Sequence, residues 1–300
     1  MPNAIIRLNP GTGGSGIDAE ELTVDGETVR RSRIQIAGSN ASDILKVPDG
    51  IVYTSRGKAI LEGHLTGTAG QFVGRIFTST TARQAIQRNA YTDQASGAQR
   101  SVASGSASDS AAGIGAHTVK ICYYKELIPG SVTGPFFETV TLNGGTAVPT
   151  VATDIKYIEY ADVETAGSNN ASVGTITVYV NAAGGGGTIC SIQAGERSTN
   201  LCHHFVPTGK ACLIQGITAG ATVSGNSIFE LSSLDLSVTD AAEKWIKGLE
   251  RIWPHGAARA TQEMYQEVPI KVQGPARIRG YVTPGAANST NHLTVSYYEV

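Results

Sequence analysis

Short runs of alternating apolar and polar residues, separated by turn residues, recur through the middle of the chain. Between residues 111 and 180 these runs are His117–Tyr124, Phe136–Leu142, Ile155–Tyr160 and Gly174–Val180. Period-two alternation over segments of this length predicts half-buried β-strands, and the intervening Gly, Pro, Asn and Ser predict turns. Repeated at this spacing, the pattern indicates an antiparallel β-sandwich or barrel.

Further runs of the same kind continue to the C-terminus. Hairpin turns are predicted at 143–145 and 207–209, and a Gly-rich loop at 182–187. The number and spacing of strands favour a jelly-roll-like sandwich over residues 117–300. The additional predicted strands are Thr188–Ile192, Leu201–Phe205, Ala211–Ile217, Ser227–Leu236, Val268–Val272, Arg277–Val282 and His292–Val300.

The first 95 residues carry the turn signals of β-hairpins. Leu22–Arg30 is predicted to form two strands joined by Asp25-Gly26, because Asp-Gly is a favoured two-residue hairpin turn. We therefore expect an all-β protein in which a smaller β-rich N-terminal domain at 1–95 precedes the sandwich. The other strands predicted in this domain are Arg33–Ala37, Ile51–Thr54, Ala59–Leu65 and Gln71–Phe77.

Residues 96–116 are mostly Ser, Ala and Gly. Such a composition predicts either a flexible linker or an extended arm that crosses a neighbouring molecule. Two short helices are also predicted, at Thr81–Tyr91 and at Ala241–Ile252. The second has Asp240 and Glu243 at capping-box spacing and is ended by Pro254.

The chain is poor in charge. Asp, Glu, Lys and Arg make up 16% of its residues, against roughly 25% in typical soluble domains. A chain that replaces charge with small neutral residues often has part of its surface covered by partners; an ordinary neutral-polar β surface is the alternative. The net charge of -2 argues against a nucleic-acid or anionic-membrane surface. No segment is long and apolar enough to predict a membrane span, and no secretion signal is recognisable, so we expect synthesis in a cytoplasm.

Candidate cofactor and metal motifs are weak. Residues 11–16 fit G-x-G-x-x-G but lack the buried strand and helix that a dinucleotide site needs, so we expect an N-terminal arm there. Cys202, His203 and His204 are a dense group of potential ligands, yet zinc needs three or four that converge. We expect no metal and no cofactor.

The cysteines are expected to be buried free thiols. None of Cys122, Cys190, Cys202 and Cys212 has C-x-x-C spacing, and free thiols are the norm in a reducing compartment. A disulfide between Cys202 and Cys212 after release from the cell is the alternative.

Catalytic groupings are equally hard to find. A glycosidase needs two carboxylates across a groove, and the six histidines give no order from which to assign a triad. We therefore expect a non-enzymatic protein. The scattered carboxylates considered for such a pair are Glu126, Glu138, Glu159, Asp162 and Glu164.

Four tyrosines on predicted strands are the candidate contact residues: Tyr123, Tyr124, Tyr157 and Tyr160. Because neighbouring residues of a strand face opposite sides, one of each adjacent pair should face outward. An exposed Tyr stacks against sugars or anchors a partner. The alternative is a cross-strand pair that simply covers the sheet.

A series of short β motifs follows a fixed order in the chain. It comprises Ser108-Asp-Ser-Ala-Ala-Gly-Ile-Gly-Ala-His-Thr-Val-Lys-Ile, Glu138-Thr-Val-Thr-Leu-Asn-Gly-Gly-Thr-Ala-Val, Ile158-Glu-Tyr and Ala166-Gly-Ser-Asn-Asn-Ala-Ser-Val-Gly-Thr-Ile-Thr-Val, then Phe205-Val-Pro-Thr-Gly-Lys-Ala-Cys-Leu and Thr294-Val-Ser-Tyr-Tyr. The series resembles a group of virion structural proteins of tailed bacteriophages. It covers 108–220 well and 221–300 loosely, does not reach 1–95, and carries over no active-site residue.

The resemblance implies a structural component of a bacteriophage virion, either a capsid decoration or cement protein or a tail, baseplate or fibre protein. Its expected partners are other virion proteins and copies of itself, with residues 1–95 docking on the particle. Two alternatives are a tail-tip protein that binds a receptor or cell-surface glycan, and a surface hydrolase.

Overall fold

The computed structural model describes residues 17–24, 27–34, 67–78, 80–222, 225–238, 241–246, 251–255 and 260–300. Within these ranges the chain forms β-strands and no helix. The strands are β1 (Ile17–Val24), β2 (Glu27–Ile34), β3 (Thr68–Thr78), β4 (Gln84–Ala85), β5 (Ser101–Ser104), β6 (Ala116–Glu126), β7 (Val132–Thr141), β8 (Val148–Pro149), β9 (Ile155–Ala166), β10 (Ile176–Tyr179), β11 (Thr188–Ile192), β12 (His203–Val206), β13 (Ala211–Ala221), β14 (Gly225–Asp235), β15 (Lys244–Trp245), β16 (Arg251–His255), β17 (Ala260–Gln273), β18 (Ala276–Thr283) and β19 (Ser289–Glu299).

The strands pair antiparallel throughout. The predicted all-β antiparallel sandwich fold is therefore confirmed. Near the N-terminus, β1 and β2 form the hairpin that Asp-Gly predicts, with Val24 opposite Glu27. The strands predicted at Ile51–Thr54 and Ala59–Leu65 lie outside the described residues, as does the end of Arg33–Ala37.

The first sandwich is built from β5 to β11. A three-stranded sheet of order β7-β6-β9 faces a four-stranded sheet of order β11-β10-β5-β8. Apolar side chains from both sheets form one core, because alternate residues of each strand point into the space between them. Its fully buried members include Val102, Val119, Ile121, Ile158, Ile176, Val178, Ile189 and Ile192.

The second sandwich uses strands from both ends of the described chain. One sheet has the order β17-β13-β19-β3; the other has the order β12-β18-β14-β15, with β16 also paired to β14 and β4 to β18. Strand β3 pairs with β19 along its whole length, from Thr68 opposite Glu299 to Thr78 opposite Ser289. The core between these sheets includes Phe72, Ile76, Ile214, Phe229, Leu231, Ile278, Val282 and Val295.

The first sandwich is thus an insertion between β4 and β12 of the second. The boundary expected at residue 95 separates β3 and β4 from the C-terminal strands with which they pair. It therefore does not coincide with a break in the sheets. The particle-docking domain expected at 1–95 stays a prediction, because most of the residues before β3 lie outside the described ranges.

The Ser/Ala/Gly-rich stretch at 96–116 differs from the flexible linker that its composition suggests. Its centre is β5, whose four residues are all buried and which lies between β10 and β8. Small residues are needed here because the backbones approach closely: a Cβ on Gly97 would lie 2.8 Å from the Asp154 carbonyl oxygen. The stretch is an interior strand with its flanking turns.

Both predicted helices are wrong within the described residues. Residues 84–85 of the first form β4, which pairs with β18. In the second, Lys244 and Trp245 form β15 against β14, and residues 251–255 form β16. Glu243 does not serve as a capping residue. Its carboxylate instead accepts from the Arg277 guanidinium at 3.0 Å and from the Tyr281 hydroxyl.

The alternation along β3 gives a direct test of the second sandwich. Phe72 is 4% exposed and faces the core, whereas its neighbour Val73 is 47% exposed. We expect Phe72→Ala to lower the free energy of unfolding by about 4 kcal/mol, since it removes a buried ring and leaves a cavity. Val73→Ala should cost less than about 1 kcal/mol. Urea unfolding of both variants measures this, and equal losses would contradict the orientation of β3.

Candidate functional site

Three of the four candidate contact tyrosines are buried. Tyr123, Tyr124 and Tyr157 are 6%, 1% and 6% exposed, and Tyr160 is partly exposed. The expectation that one of an adjacent pair faces outward is wrong for Tyr123 and Tyr124. The pairing of β6 with β7 and β9 shifts register around these residues, so the strict alternation is interrupted. Tyr123 packs on Phe136.

These phenol groups belong to the interior. Burial raises the pKa of Tyr157 and of Tyr160 to about 12 in each case, so both stay neutral at physiological pH. Tyr157 stacks on Phe205 with ring centroids 4.9 Å apart. What remains open to a ligand among the four is part of Tyr160.

A buried polar cluster joins the two sandwiches. The Tyr124 hydroxyl donates to Glu159 Oε2 at 2.5 Å, and His204 Nδ1 donates to Glu159 Oε1 at 2.8 Å. His204 Nε2 lies 3.9 Å from Glu299 Oε2. Glu159 is 7% exposed and His204 is 2% exposed. The cluster ties β6, β9, β12 and β19 together, and its central groups, Glu159 and His204, are buried.

The run from Cys202 to His204 does not converge on a metal. His203 Nε2 donates to the carbonyls of Ile158 and Glu159 at 3.1 and 2.8 Å. Burial, reinforced by the charges of nearby arginines, lowers the pKa of His203 to about 3, so its imidazole is neutral. The part of the chain that the structure describes holds no group of three potential metal ligands.

All four cysteines are buried free thiols, as expected. Burial raises the pKa of each thiol, to about 12 for Cys190. Cys202 is hydrogen-bonded to the Leu293 carbonyl at 3.8 Å and packs in the second core. The disulfide between Cys202 and Cys212, which was the alternative, is not formed.

The candidate carboxylates serve separate structural contacts. Glu126 accepts from Lys156. Glu138 accepts the backbone N–H groups of residues 151 and 152, and Glu164 accepts the Thr139 hydroxyl at 2.8 Å. Burial raises the pKa of Asp162. Glu126, Glu138 and Glu164 are thus each held by a different set of protein donors.

Asp109 joins the end of β5, the start of β6 and the segment before β10 through its carboxylate. Its carboxylate is fully buried and accepts the Ser104 hydroxyl at 2.5 Å. It also accepts the backbone N–H groups of Ala116, Val173 and Gly174, each at 2.8 Å. Burial alone would raise the pKa of Asp109, but these four hydrogen bonds outweigh it and the pKa is lowered. This is the Asp of the Ser-Asp-Ser-Ala-Ala-Gly motif, so the motif has a structural role.

The free edge of β7 is the most conspicuous surface of the first sandwich. β7 is an outer strand of its sheet, and no described strand pairs with its other side. Phe137 is 53% exposed at its centre. Leu127 and Ile128, in the preceding turn, are 68% and 66% exposed, and Val151, which contacts Glu138, is 86% exposed. We call these residues and β7 the β7 edge.

The sequence contained a signal for this edge. Phe136 and Phe137 are adjacent in a predicted strand, and the rule applied to the tyrosine pairs also requires one of these two rings to face outward. Phe136 packs on Tyr123, and Phe137 is the exposed ring. Lys120 Nζ lies 4.9 Å from the centre of the Phe137 ring.

Comparison with known proteins gives no family. No family model matches the chain, and no curated protein matches it. It is faintly similar to the structure of infectious bursal disease virus, Gx strain, with 8% identity over 78% of this chain and 70% of that chain and a TM-score of 0.20. The crystal structure of the VP2 subviral particle of that virus gives 10% identity, coverage of 78% and 72%, and a TM-score of 0.16. At these TM-scores the similarity carries no argument.

No helix in the described ranges has the length and apolarity needed to cross a membrane.

The four hydrogen bonds to the Asp109 carboxylate predict that a single substitution there strongly destabilises the fold. Asp109→Asn should lower the free energy of unfolding by about 3 kcal/mol, because the new amide turns N–H groups toward backbone N–H donors. The matched control is Asp154→Asn: this residue is half-exposed and pairs with Lys125 at 2.9 Å, and its loss should be below about 1 kcal/mol.

The pH dependence gives a second readout. The folded pKa of Asp109 lies below its unfolded value, so its stabilising contribution is complete above the unfolded pKa of about 3.9 and is lost as the pH falls through the folded pKa. Urea unfolding at pH 7 and pH 3 should show the gap between wild type and Asp109→Asn narrowing in acid. An unchanged gap would show that the carboxylate charge is not what matters.

Proposed function

We propose that the protein is a non-enzymatic structural component of a bacteriophage virion that acts by protein–protein assembly. The motif resemblance allows two kinds of position on the particle: capsid decoration or cement, and tail, baseplate or fibre. Support comes from the ordered motifs over 108–220, which the structure places on β6, β7, β9, β10, β12 and β13 and their turns.

The β7 edge is the observation that carries the assembly role. An outer strand presents unpaired N–H and C=O groups to a strand of another chain, and soluble proteins usually protect such an edge with charge or cover. Here the charged residue of the strand, Glu138, is engaged by the backbone N–H groups of residues 151 and 152, and Phe137 beside it is exposed. Exposed aliphatic side chains lie in the turn before β7, at Leu127 and Ile128, and beside Glu138, at Val151. Pro135 has no backbone N–H, so a partner strand would pair along residues 136–141.

Copies of the same chain are the partner that we propose for this edge. Two β7 strands related by a two-fold axis would pair antiparallel and place their exposed aromatic rings in contact. Many copies on one particle would add weak contacts of this kind through multivalency.

Self-association is tested with two matched phenylalanines. Phe137 on β7 and Phe77 on β3 are both 53% exposed. Phe137→Glu should abolish the self-association of the full chain, because it places two carboxylates in the contact. Phe77→Glu should leave it unchanged. Sedimentation velocity over a concentration series measures both. A monomeric wild type, or equal effects of the two substitutions, would rule out the β7 edge as the contact.

The docking role expected for the N-terminal region is also part of the proposal, now confined to residues 1–66. A deletion has to stop before β3, because β3 pairs with β19. Deleting 1–66 should abolish co-sedimentation with purified phage particles that lack the protein, while thermal unfolding of the two sandwiches is retained. Co-sedimentation that survives the deletion would contradict docking through this segment. Electron microscopy of decorated particles would then give the position.

A second candidate function is a tail-tip protein that binds a receptor or cell-surface glycan. What favours it is a depression on the outer face of the sheet β17-β13-β19-β3, lined by Arg75, Arg197 and His292 among others.

A further inference from the structure

The outer face of the sheet β17-β13-β19-β3 carries two depressions along the β3–β19 pair. One, of about 570 Å³, is lined by Gln71, Gln215, Ser296 and Tyr298 among others. The other, of about 380 Å³, is lined by Arg75, Glu196, Arg197 and His292 among others. The exposed β3 residues Gln71, Val73 and Arg75 line them, and the first also reaches Tyr297, whose ring packs on the second core.

The strand register aligns the two depressions. Gln71 lies opposite Ser296, Val73 opposite Thr294, and Arg75 opposite His292. These positions follow one another every second residue on one face, so the line from Tyr298 to His292 is about 20 Å long. Gln71 Nε2 donates to Ser296 Oγ at 3.1 Å. We call this line the β3–β19 groove.

Glycines keep the floor of the groove low. Gly216 lies where the pairing of β13 with its neighbours shifts register, beside Gln215. Gly220 lies beneath His292, whose imidazole occupies the space that a Cβ would need. Gly216 lines the first depression, whereas at Gly220 the His292 ring covers the sheet backbone.

One end of the groove is positively charged. Arg75 Nη2 and Arg88 Nε both donate to Glu196 Oε1, at 2.6 and 3.0 Å, and Asn200 Nδ2 donates to Glu196 Oε2 at 2.9 Å. Arg197 lies in the same wall and donates to the Asn170 side chain. Three guanidiniums and one carboxylate thus lie at this end, so its net charge is positive.

The remaining titratable group at this end is neutral. Burial, together with the charge of Arg75, lowers the pKa of His292. At neutral pH its imidazole therefore offers one donor and one acceptor, and the charge of this end comes from the arginines.

The other end of the groove is uncharged and rich in hydrogen-bonding groups. It offers the amides of Gln71 and Gln215 and the Ser296 hydroxyl, next to the Tyr298 ring, which is 8% exposed and packs on Leu213. Amides and hydroxyls are the groups that pair with sugar hydroxyls.

We propose that the β3–β19 groove binds an acidic oligosaccharide. Arg75 and Arg197 bind the carboxylate of one sugar, and the neighbouring sugars lie along Thr294, Ser296 and Gln71 toward Tyr298. The site lies on a different sheet from the β7 edge and does not depend on the assembly role. It gives the second candidate function a location and a ligand class.

An extended acidic peptide fits the groove less well. A peptide added as a strand needs the backbone edge of β3, and at Arg75 that edge is occupied, since Arg75 N donates to the Asn200 carbonyl at 3.3 Å. Peptide recognition also uses apolar pockets for alternate side chains. Val73 is the exposed aliphatic residue in the line, and it lies between polar neighbours.

Isothermal titration of the full chain tests the proposal with defined probes. The probes are tetragalacturonate, 3′-sialyllactose, and tetragalacturonate with every carboxyl methyl-esterified. At least one acidic sugar should bind, and the ester should bind at least tenfold more weakly, because it keeps the hydroxyls and loses the charge. Arg75→Gln and Arg197→Gln should each weaken acidic-sugar binding about tenfold, the effect of losing a charge-assisted hydrogen bond.

Two further variants separate a specific site from general positive charge. Lys244→Gln removes one positive charge from an exposed strand of the other sheet and should leave binding unchanged. Glu196→Gln frees Arg75 and Arg88 from their carboxylate and should strengthen binding of the acidic sugar.

Several results would overturn the proposal. They are failure of both acidic sugars to bind, equal binding of the methyl ester, and losses as large for Lys244→Gln as for Arg75→Gln. A hexaglutamate peptide that binds as tightly as the acidic sugar would make the groove a site for acidic peptides instead. None of these results bears on the β7 edge, whose test is self-association.

Discussion

The structure depends on one short strand that is buried on both of its faces. β12 lies at the edge of one sheet of the second sandwich, and its four residues are all buried. Phe205 belongs to the first core and Val206 to the second. Because alternate side chains of a strand point to opposite sides, this strand fixes the position of each core relative to the other.

The polar residues of β12 are tolerated because each has partners. His203 donates to two carbonyls of β9, and His204 is held between the Phe72 and Tyr297 rings while it donates to Glu159. A buried imidazole without such contacts would cost several kcal/mol. The Cys-His-His run, which suggested a metal site in the sequence, is the polar part of the contact between the sandwiches.

Most strands could be predicted from the sequence, whereas their grouping into sheets could not. Period-two alternation located Thr188–Ile192 as β11 without error, because alternation is a local property. The insertion of one sandwich into another depends on β3 pairing with β19, and the two partners in the hydrogen bond between Thr78 and Ser289 are 211 residues apart. The capping box at Glu243 failed for a related reason. The nearly buried Arg277 guanidinium requires carboxylate partners, and Glu243 supplies one.

The candidate sites, like the fold, could be predicted from the sequence only in part. The sequence offered tyrosines, because aromatic residues on strands are visible in it, but three of the four are in the core. The β7 edge could have been found by extending the same reasoning to Phe136 and Phe137. The β3–β19 groove could not, because Arg75, Arg197 and His292 are brought together only by strand register and by the loop before β12.

The insertion also sets an order in which the chain can fold during synthesis. The strands of the first sandwich, β5 to β11, are contiguous and are complete once the chain has emerged as far as Ile192. β3 cannot pair until β19, more than 200 residues further along the chain, has been made. In that interval Phe72 and Ile76 have no sheet to cover them, and exposed apolar strands in partly made chains are prone to aggregate. Until β19 is available, β3 is therefore a segment of the nascent chain to which a chaperone can bind.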